Sequence, residues 1–403
     1  MLGSFFIQQN MCRQTALRTA TPGHAPAAKP EYSKMTSPLV SRLEAELRTI
    51  ADPIEKGCLS AQLACYQARI GEFDDAELTR VELRKKFGDG HSARVSILIM
   101  CLEGLLLYFK DLDPGARDRL MRANLLSVAC NQQTLVALTA AWLAHIDFNQ
   151  GRFDSMAGAI AQCFEAMHAD DGTASCRVSL VLGDAFSFVG QMTQARVWYE
   201  HARVTANRIG DQAAVGALTY NRAALHVASA RVKRLASLLD QSEVQYVNAE
   251  VRSAVNYQYV ARLASLDHLL RAASIGVLML EEKYEEAASS ISELVSSSAV
   301  PINSAELALL HADNAHCLAR LGKSQQAADA AQLATSIRAD RFDPDDRALI
   351  FGALSNFSAT EGDAATAGKF RESQSKALDE HQKTIASLSA LLDRYSAGPT
   401  KAD

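Results

Sequence analysis

Ten histidines and eight cysteines carry the widest chemical repertoire in this 403-residue chain, and their spacing assembles no site. His311 and His316 are five residues apart, which sets them on different faces of a helix, and no His-Glu-x-x-His occurs. The cysteines (Cys12, Cys58, Cys65, Cys101, Cys130, Cys163, Cys176 and Cys317) form no Cys-x-x-Cys. Most fall on apolar helical faces, as Cys65 does beside Leu63 and Ala64. There a thiol behaves as a small hydrophobe in a reducing cytosol. No Gly-x-x-x-x-Gly-Lys-Ser/Thr loop offers amides to a phosphate, and no Gly-x-Ser-x-Gly elbow presents a serine. Arg69 and Arg84 flank a turn and read as solvated rather than catalytic. The expectation is a protein that is not an enzyme and holds no metal or cofactor.

Composition narrows the class further. The chain is 48% hydrophobic with only 21 Gly and 9 Pro, which favours helix. A net charge of -5 argues against non-specific nucleic-acid binding, which needs a basic surface. The most apolar run, Ala93 to Phe109, contains Arg94 and Glu103 and is too short and too charged to span a bilayer. It reads as a buried helix, so no membrane is expected, and the localisation expected is cytoplasmic. Residues 1–35 hold Pro22, Pro26 and Pro30 without helical periodicity, a disordered composition. Ser37 is placed to cap a helix whose first turn takes Pro38, and the functional protein is expected to start near Met35.

The elements that must position any site come from a short pattern, Gly-x-apolar-x-x-Ala, recurring about every 40 residues. It reads Gly71, Phe73, Ala76; then Gly151, Phe153 with Met156 in the Ala slot; then Gly190, Met192, Ala195. It continues as Glu282, Tyr284, Ala287; Gly322, Ser324, Ala327; and Gly362, Ala364, Ala367. Each copy predicts a helix, a turn closed by a left-handed glycine, and a second helix brought close by the alanine. Two degenerate copies fall in phase, with turns near Asp111 and near Ala230 or Arg231. Between the latter and the next unit about 11 extra residues fall near 241–261. That insertion reads as a loop, a lengthened helix or a break in the array.

In the fourth unit Leu182, Gly183, Phe186, Gly190, Met192, Ala195, Tyr199 and Ala202 resemble the tetratricopeptide repeat pattern. The period exceeds the 34 residues usual for that family. Longer units of this kind are similar to those of bacterial regulators and kinesin light chains. The resemblance covers about eight units over 36–376 and implies an all-α fold, a right-handed α-solenoid of helix-turn-helix repeats. It also implies that first helices line a concave groove. Counting slots from each turn glycine gives that groove an apolar floor, including Cys65, Leu98, Cys101, Leu105 and Leu138. Its polar stations are His145, Arg177, Asp184, Asn221, Arg222, His316 and Asn356. The Lys/Asn/Arg set that clamps chaperone tails in some members is absent. The alternative is a tight superhelix whose inner residues pack on the neighbouring turn.

Beyond the array, 377–403 carries Leu378, His381, Ile385, Leu388, Leu392 and Tyr395 at heptad spacing. This reads as a capping helix over the last repeat or as a coiled-coil seam for a homodimer. The functional expectation is a protein-interaction scaffold that binds a peptide or amphipathic helix in its groove. The rival is a regulatory sensor that signals through the C-terminal helix to a partner output protein.

Overall fold

Asp52 accepts from the Ile54 and Glu55 amides at 2.7 and 3.3 Å, and Pro53 fills the first turn, so the array begins where capping chemistry places it. A computed structural model describes residues 37–88, 90–296, 302–338 and 342–399. The expected disordered segment 1–35 and start near Met35 lie outside the described residues. Helix α1 (Pro38–Thr49) precedes the array. The helix pairs are α2 (Pro53–Ile70) with α3 (Phe73–Phe87), α4 (Ala93–Phe109) with α5 (Gly115–Ala129), and α6 (Gln133–Asn149) with α7 (Phe153–Ala166). Then come α8 (Gly172–Phe188) with α9 (Met192–Ile209), and α10 (Gln212–Leu235) with α11 (Gln241–Ala261). The last are α12 (Asp267–Leu280) with α13 (Tyr284–Ser296), α14 (Ser304–Arg320) with α15 (Ser324–Ser336), and α16 (Pro344–Thr360) with α17 (Ala364–Leu392). Among the described residues there is no strand, and no helix is long and apolar enough to cross a membrane.

The recurring pattern works as a turn and a close approach. Gly71 closes α2 at φ 91°, a left-handed backbone that glycine adopts without steric penalty. The units without glycine keep the same geometry: Ser237 sits at φ 57° and Glu282 at φ 59°. Ala76, Ala195, Ala287, Ala327 and Ala367 are all buried where the two helices of a unit meet, and Met156 is buried in its unit. α4 is buried as its composition predicts, from Val95 through Tyr108.

Several boundaries differ from the sequence reading. α10 runs straight through the turn expected near Ala230 or Arg231 and ends at Leu235, so the fifth turn lies at Ala236–Ser237. Good helix formers fill that stretch, and no glycine or proline interrupts it. The insertion near 241–261 is α11, a 21-residue second helix, not a loop or a break. No boundary falls at 376, because α17 is at once the second helix of the last unit and the seam-bearing C-terminal helix. Ser37 does not cap α1; its hydroxyl donates to the Gly210 carbonyl at 2.7 Å instead.

That last contact belongs to a wider closure. Residues 37–39 lie on the turn between α9 and α10, where the Leu39 amide also donates to Gly210 at 3.2 Å. The Ser265 hydroxyl, just before α12, donates to the Arg69 carbonyl of α2 at 2.7 Å. At the other end, α17 packs on α7 and α8, and Leu388 and Leu392 join the core cluster of units three and four. Gln191 donates to Ser389 at 2.8 Å, and the Trp198 indole donates to the Tyr395 carbonyl at 3.1 Å. The array turns back on itself, and each end is fastened to its middle.

Candidate functional site

Closure divides the inner face into a buried part and an open part. His145, Arg177, Asp184 and Asn221, expected as stations in an open groove, are buried. The first helices of units two to five meet around them, and Asp184, Asn221 and His145 Nε2 face other buried polar side chains. Asn149 Nδ2 donates to Tyr108 Oη at 2.8 Å, and Tyr108 Oη lies 3.2 Å from His145 Nε2. Burial and the nearby Arg177 charge hold the His145 pKa well below its usual range, so this imidazole is neutral. Asp184, only 1% exposed, accepts from Tyr199 Oη at 2.9 Å and from Asn221 Nδ2 at 2.7 Å, tying α8 to α9 and α10. Burial pushes its pKa up to about 7. The Arg177 guanidinium lies 4.0 Å from the centre of the Trp142 ring.

Arg69 also departs from expectation. It is not solvated beside its turn; it is buried and forms a two-pronged pair with Asp211, at 2.8 and 3.0 Å. Asp211 in turn caps α10 through the Ala214 amide at 2.9 Å. Arg222 faces outward to the α11 insertion, where Glu250 accepts from it at 2.6 Å, from Tyr246 at 2.8 Å and also from His226.

His316 and Asn356 remain on an open inner surface. They line a cavity of about 480 Å³ whose walls are α10, α12, α14 and α16, the first helices of four successive units. Three arginines reach it. Arg231 pairs with Asp313 at 2.7 Å, and Arg234 pairs with Glu282 at 3.0 Å. Arg320 has no acidic partner among the described residues; its guanidinium stands 5.0 Å from the Tyr284 ring centre. Burial and the Arg320 and Arg231 charges pull the His316 pKa down to about 4, so it offers a neutral ring, 5.3 Å from that of Tyr284. Thr360 and Asn356 add neutral polar groups at the rim. Slot counting missed Arg231 and Arg234 because it placed a turn where α10 continues. A second cavity, of about 240 Å³, lies on the apolar floor formed by Cys65, Leu98, Cys101, Leu105 and Leu138. Leu39 and Leu43 of α1 form one of its walls.

The C-terminal seam is occupied by its own chain. His381, Leu388 and Leu392 are buried; Leu378, Ile385 and Tyr395 are half-buried. His381 meets the Phe188 ring edge-on at 5.5 Å, and Tyr395 packs on Phe164 at 5.8 Å. The helix therefore covers units three and four as well as the last repeat, and a homodimer through this seam would have to strip it from them. Among the described residues no group of three or more His, Cys, Asp or Glu is gathered to hold a metal. Over the described residues, what the fold and cavity define is an all-helical array of eight helix pairs with an arginine-rich pocket. No protein-family model matches the chain, and no curated protein matches it.

Proposed function

We propose that the chain is a tetratricopeptide-like, right-handed α-solenoid acting in the cytoplasm as a protein-interaction scaffold, and that it takes an acidic peptide segment into the pocket of its last four units. One observation carries this reading: the cavity of about 480 Å³ is built from the first helices of four successive units and holds three arginines. Two of those charges are met by Glu282 and Asp313, which leaves Arg320 to pair with a partner carboxylate. Tyr284, Leu349 and Ala353 supply apolar wall for the peptide backbone or a neighbouring side chain. The test is selection from a random peptide library on the full chain. Selected peptides are expected to be rich in Asp and Glu and to lose about tenfold in affinity for Arg320→Glu, a change of about 1.4 kcal/mol. Peptides that bind Arg320→Glu and Asn356→Ala as tightly as the native chain would place the interaction elsewhere.

A sensor role, with signalling through α17 to a partner output protein, is the second reading, and one connection favours it. α16 forms a wall of the pocket, Ser355 on it donates to the Ala367 carbonyl of α17 at 3.0 Å, and α17 reaches units three and four. A peptide seated against α16 bears on a helix that spans half the array.

A further inference from the structure

Two buried donors face one small cavity. The cavity, of about 50 Å³, lies between α4, α6, α8 and α10, is closed by Arg69 of α2 and by Leu263, Leu266 and Leu269 at the start of α12, and is several times what one water requires, about 10–15 Å³. Arg177, 5% exposed, and Tyr220, 3% exposed, both line it. Among the described residues the Arg177 guanidinium has no hydrogen-bond or ion-pair partner, and neither has the Tyr220 hydroxyl. The acids nearby are committed elsewhere. Both Asp211 oxygens are taken by Arg69, and both Asp184 oxygens accept from Tyr199 and Asn221. His145 is neutral and adds no charge.

Burial, then the Arg69 charge, pull the Arg177 pKa down to about 10, which still leaves it cationic at neutral pH. An uncompensated buried cation is strongly unfavourable. The Trp142 face offsets only part of that penalty. Arginine is suited to a planar two-oxygen anion, since its fork matches a carboxylate with two parallel hydrogen bonds. A phenol beside it supplies a third donor.

We infer that this interior cavity is a binding site for a small free carboxylate of one to three carbons, with Arg177 gripping the carboxylate and Tyr220 donating to it. At about 50 Å³ against about 480 Å³, and with no lining residue in common, this site is distinct from the open pocket of the last four units, and either can fail without the other.

Trp142, stacked on Arg177, is the natural reporter. The full chain is titrated with sodium acetate and, separately, sodium formate, with sodium chloride holding ionic strength constant. Tryptophan emission and the thermal midpoint are both read. Expected is a saturable emission change with one or both carboxylates, a rise in midpoint, and no response to chloride alone. Tyr220→Phe keeps the ring and removes one donor, and it should raise the half-saturating concentration about fivefold to tenfold. Arg177→Gln should abolish the response. No saturable response to either carboxylate in emission and midpoint overturns the inference. So does a Tyr220→Phe chain that folds and titrates as the native one does, whatever becomes of Arg177→Gln.

Discussion

Asp184→Asn separates a ligand contact from a structural one. In the folded chain the Asp184 pKa is pushed up to about 7 by burial, against 3.8 for an unburied aspartate. Between those two values the unfolded chain has released this proton while the folded chain retains it. Stability therefore falls as pH rises across that window, by about 1.4 kcal/mol per unit over about three units, and levels off above it. Asparagine has no proton to lose. Its carbonyl accepts from Asn221 Nδ2 in place of the carboxylate at 2.7 Å, and its amide donates to Tyr199 Oη, which turns from donor to acceptor. The shape and both contacts survive. Relative to the native chain, the variant should gain about 4 kcal/mol between about pH 4 and about pH 7, and little beyond. Urea unfolding of both chains at half-unit steps measures this difference directly. A gap that stays constant within about 0.5 kcal/mol across the range, or that closes as pH rises, refutes the reasoning.

The other consequences are local. Gly183→Ala would bring a methyl group to 2.5 Å from Tyr199 Cδ1 and force α8 and α9 apart; a loss of about 1–3 kcal/mol by thermal or urea unfolding is expected, and a neutral result would contradict the packing. Arg69→Met strands the Asp211 carboxylate in the interior and should destabilise by about 3–5 kcal/mol; adding Asp211→Leu should recover part of it, which a double-mutant cycle would read as coupling. Leu388→Asp puts a charge into the core shared by α17 and units three and four. It should lower the melting midpoint and red-shift the emission of Trp198, with no change in particle mass by light scattering; a halved mass would mean the seam pairs two chains.

The helix pairs were legible because their signal is local. A left-handed glycine and a small residue a few positions on are read from one stretch of chain, and Gly71, Gly190 and Gly322 mark their turns without reference to anything distant. Where the glycine is replaced by Ser237 the turn was misplaced, since nothing in the sequence of α10 announces that it stops at Leu235. Slot counting assigned His145, Arg177, Asp184 and Asn221 to the inner face, and all four are buried where first helices meet. Whether that face is open depends on the superhelical pitch, and pitch is the sum of small rotations between units. No single unit encodes that sum. For the same reason Arg69 looked solvated: its partner Asp211 lies 142 residues away and meets it only after the array has turned on itself. The C-terminal heptads announced an apolar stripe truthfully, and left its occupant to be decided by how far α17 reaches.

Open solenoids fray. Their energy is a sum over neighbours, so terminal units melt first and repeats can be added or trimmed with graded effects. This chain forgoes that freedom. α1 is pinned to the α9–α10 turn, and Tyr395 beyond α17 to Trp198 of α9, so both extremities draw on contacts far along the sequence. The fourth and fifth units become the hub on which the others depend, and their loss would release both ends at once. Unfolding is then expected to be a single concerted event. Duplication or deletion of a repeat, the ordinary route by which such arrays change length, would shift at least one of the two clasps out of register.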